Sequence, residues 1–160
     1  MKRERVEMPL FEAMFPFARR GEYFLLFGRR GLAEYQALVP HGGIDAFLKD
    51  LEREVVRLRP PMVMLSMKLF RGSQRFLGFE GDGVCLTADL VRSPDGLGFL
   101  TVLDRLTTTA GGIPHIIKDS RLPVAVVRRC YPEYECFREN LRAYDPERHF
   151  RSELSERLEL

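Results

Sequence analysis

A histidine and a lysine three residues apart, at the end of a short apolar run, have the clearest chemical potential in this sequence. His115 and Lys118 follow Gly111-Gly112-Ile113-Pro114 and lead into the polar pair Asp119-Ser120. An imidazole exchanges a proton near neutral pH, and an ammonium group donates hydrogen bonds to oxygen acceptors. Because side chains alternate across a strand, these two groups meet on one ligand only where the strand ends or bulges between them. The polar residues after Ile117 predict such an end.

The pattern of apolar residues predicts the elements that must position this pair. The predicted strands cover residues 33–40, 62–70, 84–90 and 113–117, and the predicted helices cover 44–58 and about 94–109. The order strand, helix, strand, strand, helix, strand is that of a ferredoxin-like α+β fold, in which both helices cover one face of an antiparallel sheet. The other face of that sheet then needs water or a partner.

Four further polar residues lie on the predicted strands and are expected to share the face that the helices leave open. In the first strand the apolar residues occupy the odd positions, so Glu34 and Gln36 point to the opposite face. Lys68 lies inside an otherwise apolar strand and needs a carboxylate, a ligand or a route to water, since an unpaired buried charge is costly. Asp89 lies near the end of the third strand. With the histidine and lysine above, these four residues form the candidate site.

Each of these residues also has a structural interpretation. His115 alone is typical of a satisfied structural histidine, and Lys68 could extend from an edge strand with its ammonium group in water. Asp89 could be a turn residue or a carboxylate at a helix entry, and Glu34 and Gln36 could be solvent-facing strand positions. The residues by themselves leave these alternatives open.

The chain divides into three predicted parts. An apolar N-terminal arm or linker, a ferredoxin-like domain and a helical C-terminal tail cover residues 1–30, 31–121 and 122–160. The arm is rich in large apolar side chains from Met8 to Phe27 but has no clean periodicity, and soluble monomers rarely leave such a patch bare. In the tail, helices are predicted over 131–144 and 147–158, on either side of a break at Asp145-Pro146.

The composition of the whole chain is that of an ordinary globular domain. Of its 160 residues, 45% are hydrophobic and 30% are charged, and 25 basic and 23 acidic side chains leave a formal charge of +2. That balance gives no case for binding nucleic acid. The cysteines form no Cys-x-x-Cys pair, so we expect free thiols and no metal site. Because the apolar runs are too short for a membrane span and no signal peptide is evident, a cytoplasmic protein is expected.

Several weak motifs in a fixed order resemble a known family. They are Pro114-His115-x-x-Lys118, then Tyr144-Asp145-Pro146-x-x-x-Phe150, and the stretch from Lys118-Asp119-Ser120 to the closing Arg157-Leu158-Glu159-Leu160. Together they resemble the C-terminal half of FAD-linked oxidases of the vanillyl-alcohol-oxidase type superfamily, in the branch of aldonolactone, alditol and decaprenylphosphoryl-ribose oxidases. The resemblance extends, with few gaps, from about Phe15 to Leu160.

The resemblance implies a cap domain whose sheet roofs the flavin ring and holds the substrate against it. It implies hydride transfer from a carbinol carbon of a sugar, a sugar alcohol or an aldonolactone to the flavin. Lys118 would lie nearest to flavin and substrate, as a hydrogen-bond donor or proton acceptor. His115 would contact the same groups, binding a sugar hydroxyl or taking its proton. The substrate-binding positions would be Glu34, Gln36, Lys68 and Asp89.

The FAD-binding half of the family precedes the matching region and has no counterpart in this chain. The chain lacks a Gly-rich pyrophosphate cradle and has no His or Cys in the setting used for flavin attachment. FAD is therefore expected in a separate or missing FAD-binding domain, and this chain alone is expected to be inactive. The usual pocket residues before Asp89 are replaced around Cys85 and Thr87, which leaves the identity of the sugar open.

An alternative from a different class is a stand-alone ferredoxin-like binding or assembly module without redox activity. Such a module keeps the fold but not the chemistry, and its exposed apolar surfaces would favour a homo-oligomer. A separate FAD-binding chain encoded next to this one would distinguish the two interpretations in favour of the oxidase.

Overall fold

Two long helices cover one face of a four-stranded antiparallel sheet in the computed structural model, which describes residues 7–14, 21–118 and 121–160. In chain order the elements are α1 (Leu10–Met14), α2 (Glu22–Leu25), a 3-10 turn (Gly28–Arg30), β1 (Leu32–Pro40), α3 (Ile44–Leu58), β2 (Met62–Phe70), β3 (Gly83–Val91), α4 (Pro94–Thr109), β4 (Ile113–Pro114), α5 (Val124–Cys130), α6 (Tyr134–Tyr144) and α7 (Glu153–Arg157). The strand order is β2-β3-β1-β4, as in ferredoxin-like folds. The predicted α+β class is confirmed.

Local sequence signals set the boundaries of α3 and α4. Helix α3 ends where Arg59 adopts a left-handed conformation, with φ of 46°, directly before Pro60-Pro61. Helix α4 begins after Ser93, whose hydroxyl accepts a hydrogen bond from the backbone N–H of Gly96 at 3.1 Å. Both helices therefore cover the residues that the apolar pattern predicted.

The first hydrophobic core lies between these two helices and the sheet. Tyr35, Ala37 and Val39 on β1 point into it, as their odd positions predicted. The Tyr35 hydroxyl is satisfied inside this core because it donates to Thr107 Oγ1 at 3.0 Å. The other buried members are Phe47, Leu51, Leu86, Ala88, Leu90, Phe99, Leu100, Leu103 and Leu106.

The C-terminal tail forms a second hydrophobic core against the opposite face of the sheet. Leu38 and Cys85, whose side chains alternate out of the first core, contribute the sheet's part. Tyr131 is fully buried there, and its hydroxyl donates to the Pro114 carbonyl at 2.6 Å. The other buried members are Ile113, Ile116, Leu122, Val127, Tyr134, Leu158 and Leu160. The tail therefore lies outside the first core, as predicted, but packs closely on the sheet.

The last helix is much shorter than predicted. The expected helix over 147–158 is wrong, since α7 covers only Glu153–Arg157. The Asp145 carboxylate accepts hydrogen bonds from the backbone N–H groups of His149 at 2.9 Å and Phe150 at 2.8 Å. These bonds hold a loop after α6, and a helix starts again only at the Ser152 cap. The predicted break at Asp145-Pro146 is confirmed.

The fourth strand is also shorter than predicted, because β4 covers Ile113–Pro114 rather than 113–117. Pro114 has no N–H to continue the ladder, and Ile116 turns into the second core, where it is buried. Just before β4, a Cβ on Gly112 would lie only 2.8 Å from the Leu38 carbonyl oxygen, so the close approach to β1 requires glycine. The strand therefore ends well before Lys118.

The C-terminal end of the N-terminal arm, around Tyr23 and Phe27, lies against the sheet. Phe27 is buried and Tyr23 is half-buried. The exposed apolar residues of the arm are Met8, Leu10, Phe11, Phe24, Leu25 and Leu26. The remaining arm residues, 1–6 and 15–20, lie outside the described part of the chain, as do Asp119 and Ser120. Of the helices that the structure describes, none is both long and apolar enough to cross a membrane.

Candidate functional site

The sheet face opposite α3 and α4 carries a paired set of polar residues on its two central strands. In the register between β1 and β3, Glu34 lies opposite Asp89 and Gln36 lies opposite Thr87. Residues directly opposite each other in antiparallel strands point to the same face. Gln36 Nε2 donates to Thr87 Oγ1 at 2.9 Å, which fixes the amide across the strands. We call this surface, defined by Glu34, Gln36, Thr87 and Asp89, the polar face.

Lys68 lies at one margin of the polar face. The residue opposite it on β3 is Cys85, and the lysine is exposed. Burial raises the pKa of the Cys85 thiol, and the positive charge of Lys68 opposes that rise. Lys68 is thus an exposed edge-strand lysine, and the residue opposite it is Cys85 rather than a carboxylate of the polar face.

His115 and Lys118 converge on the polar face because β4 ends before them. The backbone N–H of His115 still donates to the Gln36 carbonyl at 2.7 Å, and residues 116–118 form a turn. The turn brings Lys118 Nζ to 3.2 Å from Glu34 Oε1. The His115 ring lies against Phe79, with ring centroids 4.4 Å apart. The alternation that would separate the two groups on a continuous strand is broken here.

Asp89 is the deeply buried carboxyl of the polar face, with only 3% of its surface exposed. Burial raises its pKa above the ordinary aspartate value, and the neighbouring charge of Glu34 raises it further. A hydrogen bond from Tyr23 and the positive charge of Lys118 act in the opposite direction. The protonated form of Asp89 is therefore favoured more strongly here than in water.

Tyr23 is a member of this cluster that the sequence did not predict. Its hydroxyl donates to Asp89 Oδ2 at 2.5 Å. Burial raises the pKa of the Tyr23 phenol, and the hydrogen bond to Asp89 and the charge of that residue raise it further, so the phenol keeps its proton. The other carboxyl oxygen, Asp89 Oδ1, is buried and accepts no hydrogen bond from any described residue. The available signal was a tyrosine at the start of the apolar run Tyr23-Phe24-Leu25-Leu26-Phe27, because a tyrosine hydroxyl needs a polar partner when buried.

His115 is held as a neutral imidazole. Burial lowers its pKa below the ordinary histidine value, the charge of Lys118 lowers it further, and Glu34 opposes both effects. His115 Nδ1 accepts the backbone N–H of Ile117 at 3.3 Å. This bond assigns the ring proton to Nε2, which is then a hydrogen-bond donor.

Two clefts in the described part of the chain lie away from the polar face. A cleft of about 320 Å³ lies between α4 and α5, and another of about 210 Å³ lies beside the end of β1, but neither contains the polar-face residues. Within the described residues, no group of three His, Cys, Asp or Glu side chains could hold a metal ion.

Fold and site together define an α+β domain that presents an ionisable cluster, made of a buried carboxyl, an ion pair and a neutral imidazole, on one face of its sheet. Such a cluster suits the binding of a hydroxylated or carbonyl-bearing ligand, since it offers both donors and acceptors of hydrogen bonds.

The chain is similar to longer proteins. Over 146 residues it is 29% identical to decaprenylphosphoryl-beta-D-ribose oxidase of Mycolicibacterium smegmatis, a match that covers 91% of this chain and 32% of the oxidase. Over 136 residues it is 34% identical to a Streptomyces coelicolor protein described as an uncharacterized protein in the mprA 5' region. That match covers 81% of this chain and 36% of the Streptomyces protein. The chain thus spans about a third of the curated relatives it matches. No protein-family model matches it.

Proposed function

We propose that this chain is the substrate-binding cap domain of an FAD-linked oxidoreductase that oxidises a CH–OH group of a sugar, a sugar alcohol or an aldonolactone. The observation that carries the proposal is the Lys118–Glu34 ion pair, 3.2 Å long, on a sheet face that also holds His115 and Asp89. The similarity to an oxidase over 91% of the chain supports the same reaction class.

The residues of the polar face fit one end of FAD and not the whole cofactor. Lys118 and His115 are hydrogen-bonding groups that could contact the flavin ring from one side. The sequence has no Gly-rich phosphate-binding loop, so the pyrophosphate and adenine need another domain or subunit. FAD supplies the hydride acceptor when it is bound there.

We infer that the active unit joins this chain to an FAD-binding domain or subunit. In it, residues 1–30 act as an arm or linker, residues 31–121 as the cap and residues 122–160 as a helical tail. The flavin ring then lies opposite the polar face, with the substrate held between ring and sheet.

Lys118 and His115 are the proposed catalytic and cofactor-contacting residues. Glu34 holds the ammonium group of Lys118 over the polar face, where it donates hydrogen bonds to a substrate or flavin oxygen. His115 presents Nε2–H to a substrate hydroxyl, because its Nδ1 is already engaged by the Ile117 backbone. Deprotonation of the reacting hydroxyl needs a base. His115 can act as that base only when Nδ1 releases the Ile117 N–H and carries the ring proton itself, which leaves Nε2 free to accept a proton.

The other residues of the polar face are proposed to bind the substrate. Asp89 Oδ1 offers a buried position for one substrate hydroxyl, held in place by the Tyr23 bond to Oδ2. The Gln36 amide and the Glu34 carboxylate offer further partners beside it. Lys68, at the margin, is placed for a more distant and negatively charged or oxygen-rich part of the substrate.

Co-expression with an FAD-binding chain encoded beside it tests this proposal. The expected product is a yellow complex that co-purifies with this chain and is bleached anaerobically by a sugar, a sugar alcohol or an aldonolactone. This chain purified alone should be colourless and redox-inert, since it lacks the phosphate-binding half. A stoichiometric flavin on the isolated chain would contradict the proposed division of labour.

Failure to find any flavin-bearing partner would favour the second candidate, a ferredoxin-like binding or assembly module. One observation favours that candidate independently, namely the row of exposed apolar residues Leu65, Met67 and Leu69 on the edge strand β2. A module of this kind would bind its partner without any absorbance change when sugars are added.

A further inference from the structure

Strand β2 forms a long edge of the sheet with a bare apolar row. Among the described strands it pairs only with β3. Leu65, Met67 and Leu69 point to the side of the sheet that carries α3 and α4, yet they are 42%, 56% and 79% exposed. The buried strand residues of the first core come from β1 and β3, and from β2 only Met62 packs against this core. Natural edge strands are usually blunted by charges, proline or irregular pairing, because their free N–H and C=O groups invite another strand.

The only irregularity in β2 lies at its start. The pairing with β3 shifts between Met62 and Met64, and from Met64 to Phe70 it is continuous. The regular part of the edge is therefore residues 64–70, and Met67 lies at its centre. Lys68 is the single charged residue on this part of the edge.

We propose that β2 pairs antiparallel with β2 of a second copy of this chain, around a two-fold axis at Met67, to form a continuous eight-stranded sheet. In this register Leu65 lies opposite Leu69 of the other copy, and Met67 lies opposite itself. The exposed apolar rows of the two copies therefore meet along the whole regular segment, as an isologous interface requires.

The charge pattern of β2 selects this register. Centring on Met67 places Lys68 opposite Ser66, so the lysines do not face each other. Centring on Lys68 would place two like charges directly opposite, which is destabilising. Centring on Ser66 avoids that repulsion, but it sets Leu69 opposite Val63, which lies in the irregular part of the strand.

Helix α3 is expected to take part in the same interface. Stable interfaces bury about 1,200 to 2,000 Å² in total, which is more than one strand edge provides. On the same side of the sheet, α3 carries the exposed apolar residue Val56. The two-fold axis brings the α3 helices of both copies to that side. The interface leaves free the Lys118–Glu34 pair, which lies on the opposite face of the sheet, on β1 and after β4, away from β2.

Sedimentation equilibrium of the purified chain, at about 1 to 100 µM, tests the proposal without any flavin or substrate. The unsubstituted chain should be a dimer at the upper concentrations. Met67→Lys places two charges opposite each other on the axis and should weaken the dimer at least about tenfold. Leu97→Lys, at an exposed apolar position of α4, is the matched control and should leave the dimer unchanged.

A second variant tests the register itself. Ser66→Glu brings a carboxylate opposite Lys68 of the other copy and should tighten the dimer about threefold or more. In the register centred on Ser66, the same change would set two carboxylates opposite each other and weaken the dimer. A monomer at all concentrations, a dimer that survives Met67→Lys, or a dimer weakened by Ser66→Glu would overturn the proposal. Far-UV circular dichroism checks that each variant is folded.

Discussion

Buried ionisable groups give the polar face its chemistry. Asp89 is nearly inaccessible to solvent, is bonded through one oxygen to Tyr23, and leaves its second oxygen without a donor among the described residues. A buried polar atom in that state usually marks a place where a ligand, or strain, is accommodated. The ion pair between Glu34 and Lys118 then sets the local field in which Asp89 and His115 titrate.

Replacement of Asp89 by asparagine should change how stability depends on pH. Because the folded state raises the pKa of Asp89, its contribution to stability is present below the unfolded value of about 3.9 and is lost as the pH rises through the folded value. Asn does not titrate, so the unfolding free energy of Asp89→Asn relative to wild type should increase from pH 4 to pH 8. Urea denaturation at both pH values measures this difference in unfolding free energy between the variant and the wild type. A difference that stays constant would contradict the assignment, and exposed Glu139→Gln is the control.

Two substitutions should move the titration of His115 in opposite directions. Lys118→Met removes a positive charge that lowers the His115 pKa and should raise it, whereas Glu34→Gln removes a charge that raises the pKa and should lower it. Nuclear magnetic resonance of the imidazole nitrogens follows both shifts. Lys49→Met, on the exposed side of α3, should leave the titration unchanged. Two shifts of the same sign would show that the three groups do not share one face.

At the scale of elements, the C-terminal tail fixes the position of the segment that carries Lys118 beside the polar face. The tail turns away from β4 at Ile116, and the guanidinium of Arg157 donates to the carbonyls of Leu122 and Ile116, which fastens this turn to α7. Residues 116–118 form the turn that brings Lys118 to Glu34. The short helices of the tail are thus coupled to the site through the second core.

Truncation of Leu158 should therefore be costly even though it lies near the end of the chain. Leu158 is fully buried in the second core, so Leu158→Ala should lower the unfolding free energy by about 2 to 5 kcal/mol. Leu97→Ala removes the same atoms from an exposed position and should cost about 1 kcal/mol or less. Urea denaturation of both variants provides the comparison. Equal costs would mean that the tail is not part of the cooperative fold.

Across the whole molecule, the pattern of apolar residues in the sequence predicted part of the fold and of the candidate site. Among the elements with strong periodicity, α3 was predicted with its bounds and β1 to within one residue, because each buries a regular stripe or alternate positions in the first core. The face shared by Glu34, Gln36 and Asp89 follows from the same alternation once the strand register is known.

The missed features depend on contacts that no local pattern reports. The early end of β4 and the loop after α6 are determined by packing in the second core and by the bonds to the Asp145 carboxylate. The Tyr23–Asp89 bond joins residues 66 positions apart and depends on how the arm folds onto the sheet. The roles of the polar-face residues remain predictions at this scale, because they depend on a second domain or subunit.

Anaerobic stopped-flow reduction of the flavin, in the complex of this chain with its FAD-binding partner, tests the central claim most directly. With substrate in excess, Lys118→Met should slow flavin bleaching about 100-fold or more, whereas Lys49→Met should leave the rate unchanged, with both complexes retaining their flavin. That result would place Lys118 at the reacting groups of a sugar-oxidising active site. Bleaching at the wild-type rate in Lys118→Met would contradict the account, because the polar face would then not be where the chemistry occurs.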